Sequence, residues 1–386
     1  APEWVRSTSY EYLGSEDVSK ERYTSAEWQR QEFERMWTRT WQFAAREEHL
    51  PEVGDYGVYY IGHYSFIVTR SAPDEIRAYY NACLHRGTKL RASGSEGFAS
   101  EFKCPFHGWS WNVDGTNKNI TCPWDFPHVD QAKLTLPEVR VERLGGFVWI
   151  NMDPDAPDLR TYLGPQALSH IEAWKLEDRY IHLHVQKSFP ANWKLALEAF
   201  AEAYHVIDTH PQVAPSNADA NSQYDFYGEH VDRFISCLGV VSPHLEGKYS
   251  EQDVLDQFTL GDATMLSDDR PKVGEGDTAR AAMAVMFRTR FLRPVPKDGN
   301  RPFPAPVTHL RDDQSFCEAE GMDPGFGKIL DQDTDNLVLQ QEGLEASAKP
   351  GITLGDYQEI RVRHFERGID RYMAMPPLAP QNAVKR

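Results

Sequence analysis

Two cysteine–histidine pairs stand close together in the first third of the chain. One residue separates Cys83 from His85, and two residues separate Cys104 from His107. Eighteen residues lie between the pairs, and each pair directly follows a short β-like run. Two thiolates and two imidazoles that two loops bring to one point make a set of four metal ligands. Isolated Cys and His residues are usually structural, but two such pairs in one small region predict a metal site.

Two kinds of metal centre use this ligand set. A zinc ion accepts two Cys and two His side chains in tetrahedral coordination. A [2Fe–2S] cluster of the Rieske type has two Cys ligands on one iron and two His ligands on the other. The residue types alone do not distinguish between these two kinds of metal centre.

A second group of chemically capable residues lies in EAFAEAYHVIDTHP, residues 198–211. Residues three and four apart share a helix face, so Glu198, Glu202 and His205 are predicted to form one polar stripe. His210 would lie about 140° further round a regular helix, so the two histidines converge only if the helix bulges or ends between them. The following proline favours such an end. Convergent imidazoles beside carboxylates suggest a second metal site, and a solvated helix face with incidental histidines is the alternative.

The periodicity of the sequence indicates the elements that must position these residues. Residues 25–41 place their aromatic side chains on or near one face, which predicts an amphipathic helix. Short β-like runs from about 56 to 150, separated by Gly, Pro, Asn and Asp, predict a small β domain. Helix and strand are mixed after it, and residues 326–348 and 356–373 are predicted to be helical.

Length, charge and cysteine content restrict the class of protein. The 386 residues are enough for two domains. A net charge of −17 without a Lys/Arg-rich run argues against nucleic acids and anionic membrane surfaces as partners. The apolar runs are too short to span a bilayer. Five cysteines are few and odd in number, which favours a cytoplasmic location over a disulfide scaffold.

The cysteine–histidine region resembles the Rieske signature of a known family. Cys83-x-His85-Arg-Gly and Cys104-x-x-His107-Gly-Trp are similar to the signature in the large, or alpha, subunit of aromatic-ring-hydroxylating Rieske-type non-haem iron oxygenases. The flanking runs RAYYNACLHRG and GGFVWINMDP also resemble that family. The resemblance implies that the four residues bind one [2Fe–2S] cluster.

Two later motifs extend the resemblance along the chain. NWK, followed by Glu202-x-x-His205-x4-His210, is similar to the mononuclear iron motif of the family. QDTDNLVLQQEGL, residues 332–344, resembles the segment that supplies the third iron ligand, here Asp333. The resemblance therefore implies one mononuclear Fe(II) held by two His and one Asp, an arrangement that leaves open positions for O₂ chemistry.

The fold implied by the resemblance is α+β, with a small all-β Rieske domain inserted in a larger catalytic domain. That catalytic domain is expected to have a central antiparallel sheet flanked by helices. The expected boundaries are an N-terminal helical part of the catalytic domain at 1–42, the Rieske domain at 43–155 and the catalytic mononuclear iron domain at 156–386.

Glu202 stands where the family usually has Asp, although some members that act on quaternary ammonium compounds are known to use Glu. The resemblance implies a homotrimer in which the carboxylate of Glu202 joins His205 to His107 of a neighbouring copy. A small beta subunit is a further possibility. No G-x-G-x-x-G loop appears, so electrons are expected from a separate reductase, with or without a ferredoxin.

The implied function is that of a terminal oxygenase component, which uses O₂ and reductase electrons to hydroxylate an organic substrate. Apolar runs at 234–241 and 279–287 favour a hydrophobic, aromatic or polycyclic substrate. Glu202 supports an alternative, a monooxygenating or demethylating enzyme for a quaternary ammonium or methoxy compound. An alternative of another class is a zinc-stabilised binding protein.

Overall fold

The chain folds into two compact units. The computed structural model describes residues 11–259, 271–290 and 305–378. One unit, here the sheet unit, comprises Gln31–Tyr180 and the residues from Tyr372 onward. The other, here the helical unit, comprises the residues up to Arg30 and Ile181–Arg371. In the part of the chain that the structure describes, no helix combines the length and apolarity needed to cross a membrane.

A seven-stranded antiparallel sheet forms the frame of the sheet unit. Its hairpins follow the β-like runs predicted from the sequence. A smaller three-stranded antiparallel sheet follows in the chain, with strands Phe102–Lys103, Ser110–Trp111 and Asn117–Asn119. In spatial order, the strands of the large sheet are Gln42–Arg46, Phe147–Asn151, Glu138–Leu144, Glu75–Tyr80, Tyr64–Ala72, Asp55–Ile61 and Glu96–Phe98.

One strand of the large sheet separates two hydrophobic cores. Phe66 and Val68 face one core, and Ile67 between them belongs to the other. Successive side chains of a strand point to opposite faces of the sheet. Because a core covers each face here, all three apolar side chains are fully buried. The core on the Ile67 side also contains Cys83 and Cys104. The sheet thus fixes the surroundings of the cysteine pairs.

The sheet unit continues beyond the predicted domain boundary at 155. Asp158 caps the helix Leu159–Ala173 by accepting a hydrogen bond from the backbone N–H of Thr161. The chain after this helix is held by Arg46, whose guanidinium donates to the carbonyls of Leu176 and Arg179. These bonds explain why the compact unit extends to residue 180, whereas the domain boundaries themselves stay a prediction.

The helical unit combines several helices with an antiparallel strand pair. Asn217–Phe226 pairs antiparallel with Asp232–Leu238. His184–Lys187 pairs in parallel with Val307–Leu310, and Val18–Ser19 forms a short antiparallel ladder with Gly351–Ile352. Together with the sheet unit, this architecture confirms the predicted α+β class.

Most of the predicted helices are present. Residues 25–41 form Ala26–Glu32, which continues as a π-helical turn over Phe33–Trp37. The α-helices of the described chain are Glu21–Thr24, Ala26–Glu32, Leu159–Ala173, Trp193–Glu198, Val206–Thr209, Glu251–Thr259, Ala279–Arg290, Pro324–Ala346 and Ile360–Met373. Short 3₁₀ turns cover Glu47–His49, Pro123–Asp125, Gln131–Lys133, Leu176–Asp178, Pro243–Leu245 and Phe316–Glu318.

Candidate metal centres

The two cysteine–histidine pairs occupy matching loops of the sheet unit. In the first loop, the N–H of Gly87 donates to the carbonyl of Cys83 at 2.8 Å. In the second, the N–H of Gly108 donates to the carbonyl of Cys104 at 3.2 Å. Both glycines have positive φ, +82° and +76°, which a residue with a side chain adopts only at a cost. The backbone therefore forms two similar tight turns around the predicted ligands.

The side chains of these loops converge in two like pairs. The buried thiols of Cys83 and Cys104 belong to one hydrophobic core, and each affects the pKa of the other. The rings of His85 and His107 lie 4.7 Å apart between centroids, and His85 stacks on Trp109 at 4.9 Å. Two adjacent thiols and two adjacent imidazoles match the division of ligands between the two irons of a Rieske cluster.

The local electrostatics also fit an anionic, sulfur-ligated group. Burial raises the pKa of the Cys83 thiol. Burial acts in the same direction on Cys104, but hydrogen bonds from the backbone N–H groups of Phe106 and His107 outweigh it and lower the pKa. Backbone donors aimed at sulfur favour the thiolate, which is the form that binds metal.

The second predicted site departs from the expected continuous helix. The helix that begins at Trp193 ends at Glu198, and the chain resumes helical structure only at Val206. The carboxylate of Glu202 accepts hydrogen bonds from the backbone N–H groups of Tyr204 and His205. In a continuing helix these N–H groups would bond to backbone carbonyls, so the side chain competes with the helix. The prediction of one polar helical stripe is therefore wrong.

The break in the helix brings the two histidines together. The turn Val206–Thr209 ends before Pro211, as the sequence predicts. The rings of His205 and His210 lie 5.2 Å apart between centroids. Oδ1 of Asp333 is 3.5 Å from Nε2 of His205 and 2.8 Å from Nε2 of His210.

His205, His210 and Asp333 together form a compact group of potential metal ligands. One ligand atom from each of the three lies within 4.8 Å of the others. Asp333 and His210 are buried, whereas His205 is partly exposed. Two imidazoles and one carboxylate on one side of a metal leave other positions open, which fits the facial arrangement of non-haem Fe(II) sites.

Each histidine also has a polar partner at Nδ1, in addition to Asp333 at Nε2. Nδ1 of His205 lies 2.5 Å from Oε1 of Glu202. Nδ1 of His210 lies 3.1 Å from Oε1 of Gln332, and this same oxygen accepts a hydrogen bond from Nε2 of Gln212 at 2.6 Å. An acceptor at Nδ1 fixes the tautomer that leaves Nε2 free for a metal.

Glu202 also affects the pKa of His205. Burial lowers the pKa of His205, but the hydrogen bond and charge of Glu202 and the charge of Asp333 outweigh burial and raise it. The carboxylates thus increase the electron density on the imidazole, which makes it a better ligand.

The aspartates on either side of Asp333 have other surroundings. Asp331 accepts hydrogen bonds from the hydroxyl of Ser315 at 2.5 Å and the N–H of Phe316 at 2.8 Å, so it anchors a neighbouring turn. Asp335 is exposed to solvent. Asp333 is therefore the acidic residue of this run that faces the histidines.

A cavity of about 310 Å³ lies beside this group. Among the described residues, its lining includes four carboxyl side chains, those of Glu198, Glu202, Asp333 and Glu359. The apolar part comes from Leu195, Ala199, Leu337, Ile352, Leu354 and Val362. These segments differ from the runs at 234–241 and 279–287 from which the sequence predicted a substrate pocket.

Two protein-family models match the chain. Residues 40–130 match the Rieske [2Fe-2S] domain, and residues 165–270 match the catalytic domain of the ring hydroxylating alpha subunit. The chain combines a Rieske domain with a ring-hydroxylating alpha subunit catalytic domain. The first model covers the loops with Cys83 and Cys104, and the second covers His205 and His210. Domains of these two kinds bind a [2Fe–2S] cluster and a mononuclear iron, respectively.

Relatives of the chain include oxygenase subunits of two kinds, a dioxygenase subunit and a monooxygenase subunit. The chain is 32% identical over 208 residues to the biphenyl 2,3-dioxygenase subunit alpha of Rhodococcus jostii, with 48% of this chain and 42% of the relative covered. It is 31% identical over 186 residues to the carnitine monooxygenase oxygenase subunit of Escherichia coli K12, with 48% and 50% covered. The chain thus spans about half the length of the curated relatives it matches.

Solved structures of the same fold cover nearly the whole chain. A quaternary ammonium Rieske monooxygenase superposes with a TM-score of 0.62 at 16% identity, covering 92% of this chain and 95% of the other. A naphthalene 1,2-dioxygenase from a Rhodococcus species gives a TM-score of 0.58 at 18% identity, covering 93% and 95%. At such low identities, these likenesses show the fold.

Sequence reasoning did not identify Gln332 or Gln212 as part of the site. The one sequence signal for a role of Gln332 is its position directly before Asp333. Gln212 lies two residues beyond His210, where its side chain reaches the same carbonyl oxygen. Glutamine is common on protein surfaces, so only the fold distinguishes these two residues from others of their type.

Proposed function

We propose that this protein is the terminal oxygenase component of a Rieske non-haem iron oxygenase, dependent on NAD(P)H through a partner reductase. The observation that carries the proposal is the convergence of His205, His210 and Asp333 in a chain that also pairs two His rings and buries two Cys in one core. A zinc-stabilised binding protein would have no use for this second group of two histidines and a carboxylate.

Each ligand set suits one of two metal groups. Cys83, His85, Cys104 and His107 would hold the [2Fe–2S] cluster, and His205, His210 and Asp333 would hold mononuclear Fe(II). When bound, the cluster supplies single electrons and the mononuclear iron supplies the place where O₂ is reduced. The residues around the second site orient its imidazoles and leave open the side that faces the cavity.

We assign Glu202 the role of a bridge between copies of the chain. Its carboxylate holds Nδ1 of His205, and in a ring of three copies it would also accept a hydrogen bond from His107 of a neighbour. Glu202→Gln keeps a hydrogen-bond acceptor for His205 but loses the charge. We expect the variant to keep its iron and to turn over about ten- to a hundredfold more slowly. Unchanged turnover would remove the bridging role.

The proposed partners follow from the same assignment. The electrons come from a separate reductase, directly or through a ferredoxin, in a reducing compartment such as the cytoplasm. We expect a homotrimer, whose mass in solution would be three times 44.1 kDa. A small beta subunit would appear as an additional chain in the complex purified from the native cell.

The first candidate substrate is a hydrophobic, aromatic or polycyclic compound, which is hydroxylated once or twice. The 32% identity to a biphenyl dioxygenase subunit supports it. Six apolar side chains in the lining of the cavity would contact such a ring.

A cationic substrate is the second candidate, and a specific observation favours it. The carboxyl groups of Glu202, Asp333 and Glu359 face one cavity, and burial raises the pKa of Glu359 with a contribution from the charge of Glu202. A quaternary ammonium group would relieve the repulsion between these carboxylates. The 31% identity to a carnitine monooxygenase subunit supports the same candidate, for which the reaction is monooxygenation or demethylation.

Metal analysis tests the proposed class first. Anaerobically purified protein is expected to contain about three irons and two acid-labile sulfides per chain. Zinc without sulfide would contradict the proposal. Substrate-dependent O₂ uptake with a reductase, measured with biphenyl and with L-carnitine as probes, then separates the two candidate substrates.

A further inference from the structure

Three polar side chains meet in the interior of the helical unit, behind the cavity. The hydroxyl of Tyr23 lies 2.8 Å from Oε1 of Glu198 and 3.1 Å from Oε1 of Glu366. The phenol hydroxyl is therefore within hydrogen-bonding distance of both carboxyl groups, and each carboxyl group affects the pKa of the other. The exposed fractions of Tyr23, Glu198 and Glu366 are 3%, 8% and 3%.

The number of hydrogens in this cluster favours a protonated carboxyl group. A phenol has a single hydrogen, so Tyr23 can donate to one carboxylate at a time. A second hydrogen, on one of the two carboxyl groups, would let the phenol oxygen accept from that group while its own hydrogen is donated to the other. With Glu198 and Glu366 both ionised, the single phenol hydrogen would have to serve both close oxygen–oxygen contacts.

The charges around the cluster lead to the same result. Arg22 contacts Glu366 and the half-exposed Asp370, each at 2.6 Å. The ammonium of the fully buried Lys194 lies over the ring of Tyr23 at 5.5 Å. These are two cations against three carboxyl groups, and one bound proton makes the group neutral.

The proton is held mainly by Glu198. Burial raises the pKa of both carboxyls, but the charge of Arg22 opposes this effect at Glu366. At Glu198 the charge of Glu366 adds to burial, and Lys194 opposes it less strongly. Glu366 is therefore the ionised partner and Glu198 the carboxylic acid.

Glu198 also lies at the wall of the cavity whose lining includes two of the three predicted iron ligands, His205 and Asp333. It shares this lining with Glu202, His205, Asp333 and Glu359, so an acidic hydrogen at Glu198 is next to the proposed reaction space. We propose that Glu198 and Glu366 keep one shared proton at the back of the cavity and that Glu198 delivers it into the cavity during turnover. This inference rests on the proposed oxygenase function.

The proposed reactions require such a supply of protons. Monooxygenation consumes the substrate RH, O₂, two electrons and two protons, and it yields ROH and water. Dihydroxylation of an arene takes up the same two electrons and two protons. The reductase supplies the electrons, and Glu198 supplies one proton at a time and regains it from water in the cavity between turnovers.

Infrared difference spectroscopy tests the stored proton without any need for turnover. The purified holoprotein at pH 7 is expected to show the carbonyl stretch of a protonated carboxylic acid, and this band should be absent in Glu198→Gln. The exposed Glu342 provides a matched control, because Glu342→Gln should keep the band. A missing band in the unmodified protein, or a band that persists in Glu198→Gln, would overturn the proposal.

Tyr23→Phe serves as a second variant in case Glu198→Gln does not fold. It keeps both carboxyl groups and removes the phenol hydroxyl, so the band should remain and shift in frequency. An unshifted band would also count against the cluster. Neither spectrum depends on catalysis. The spectra therefore test the stored proton even in a protein that shows no oxygenase activity, and the two failures can be distinguished.

Turnover then tests the delivery step. Glu198→Gln should retain the iron and sulfide content of the unmodified protein but form product about a hundredfold more slowly, with a changed solvent isotope effect. The probe is whichever of biphenyl and L-carnitine supports O₂ uptake. An unchanged rate and isotope effect would overturn delivery by Glu198.

Discussion

The two ligand sets of this protein are positioned in different ways. The Cys and His residues of the sheet unit lie within 25 consecutive residues, between Cys83 and His107, in two turns that backbone hydrogen bonds define. His205 and Asp333 are far apart in the chain, and side chains such as Glu202 and Gln332 hold the histidines in place.

This difference indicates where each site is vulnerable. A site built by turns depends on the residues that permit the turn, above all the two glycines with positive φ. A site built by side-chain contacts depends on the polar partners behind its ligands. Substitutions outside the ligands should therefore damage the two sites selectively.

The largest effect is expected from Asp333→Ala. Without this carboxylate, His205 and His210 lose the third predicted ligand, so the variant should retain about two irons and two sulfides per chain, with its cluster spectrum intact. Substrate-dependent O₂ uptake should fall to background. Asp335→Asn, at a nearby exposed position, is the control. Full iron content in Asp333→Ala would exclude this aspartate as a ligand.

A smaller effect is expected from Gln332→Met. The substitution removes the oxygen that faces Nδ1 of His210, and the affinity for mononuclear iron should fall about ten- to a hundredfold. Gln212→Met leaves that oxygen in place and should weaken binding less. Titration of iron into protein that retains its cluster gives both affinities. Equal affinities in all three proteins would show that Gln332 does not orient His210.

In the sheet unit, the Cys–His site should instead be sensitive to substitution of its two glycines. A Cβ at Gly108 would come within 3.1 Å of Oγ1 of Thr121, which donates to the carbonyl of His107. A Cβ at Gly87 would meet no described atom within 4 Å, so only its left-handed backbone conformation opposes substitution. That conformation costs an alanine about 1–2 kcal/mol.

Gly108→Ala should consequently reduce the unfolding free energy by more than Gly87→Ala and should also lower the sulfide content. Denaturant unfolding and sulfide analysis of the two variants measure the difference. Neither variant should affect the affinity for mononuclear iron. A loss of that affinity would contradict the independence of the two sites.

The smallest expected effect is a pH dependence of stability in the helical unit. The folded pKa of Glu198 is raised well above its ordinary value of 4.5, so its contribution is complete below that pH and is lost as the pH rises towards the folded pKa. The unfolding free energy should thus fall more between pH 5 and pH 8 in the unmodified protein than in Glu198→Gln. Parallel curves would mean that Glu198 titrates normally.

The sequence predicted best those features of the structure that depend on residues close together in the chain. Alternating strands, the helices near 324–346 and 360–373, and the two Cys–His loops all follow from local patterns. The break after Glu198 was missed because Glu202 bonds to the backbone of Tyr204 and His205, a competition that apolar periodicity does not reveal.

Sequence patterns also did not predict contacts between residues that are far apart in the chain. Gln332 is bound to His210 across 122 positions, and Tyr23 meets Glu366 across 343. Asp333 was assigned through the family resemblance, since an acidic run is by itself typical of a solvated surface. The cavity lined by four carboxyl groups arises from segments that no local pattern connects.

The spacing of the two ligand sets also has a consequence for biosynthesis. Once His107 has left the ribosome, all four residues of the first set are available, whereas Asp333 follows 226 residues later. At about 5–20 residues per second, this interval lasts roughly 10–45 s. The nascent chain therefore presents a complete thiolate–imidazole set to the cell's cluster-delivery machinery well before the mononuclear site exists, and the order of synthesis favours filling the sheet unit first.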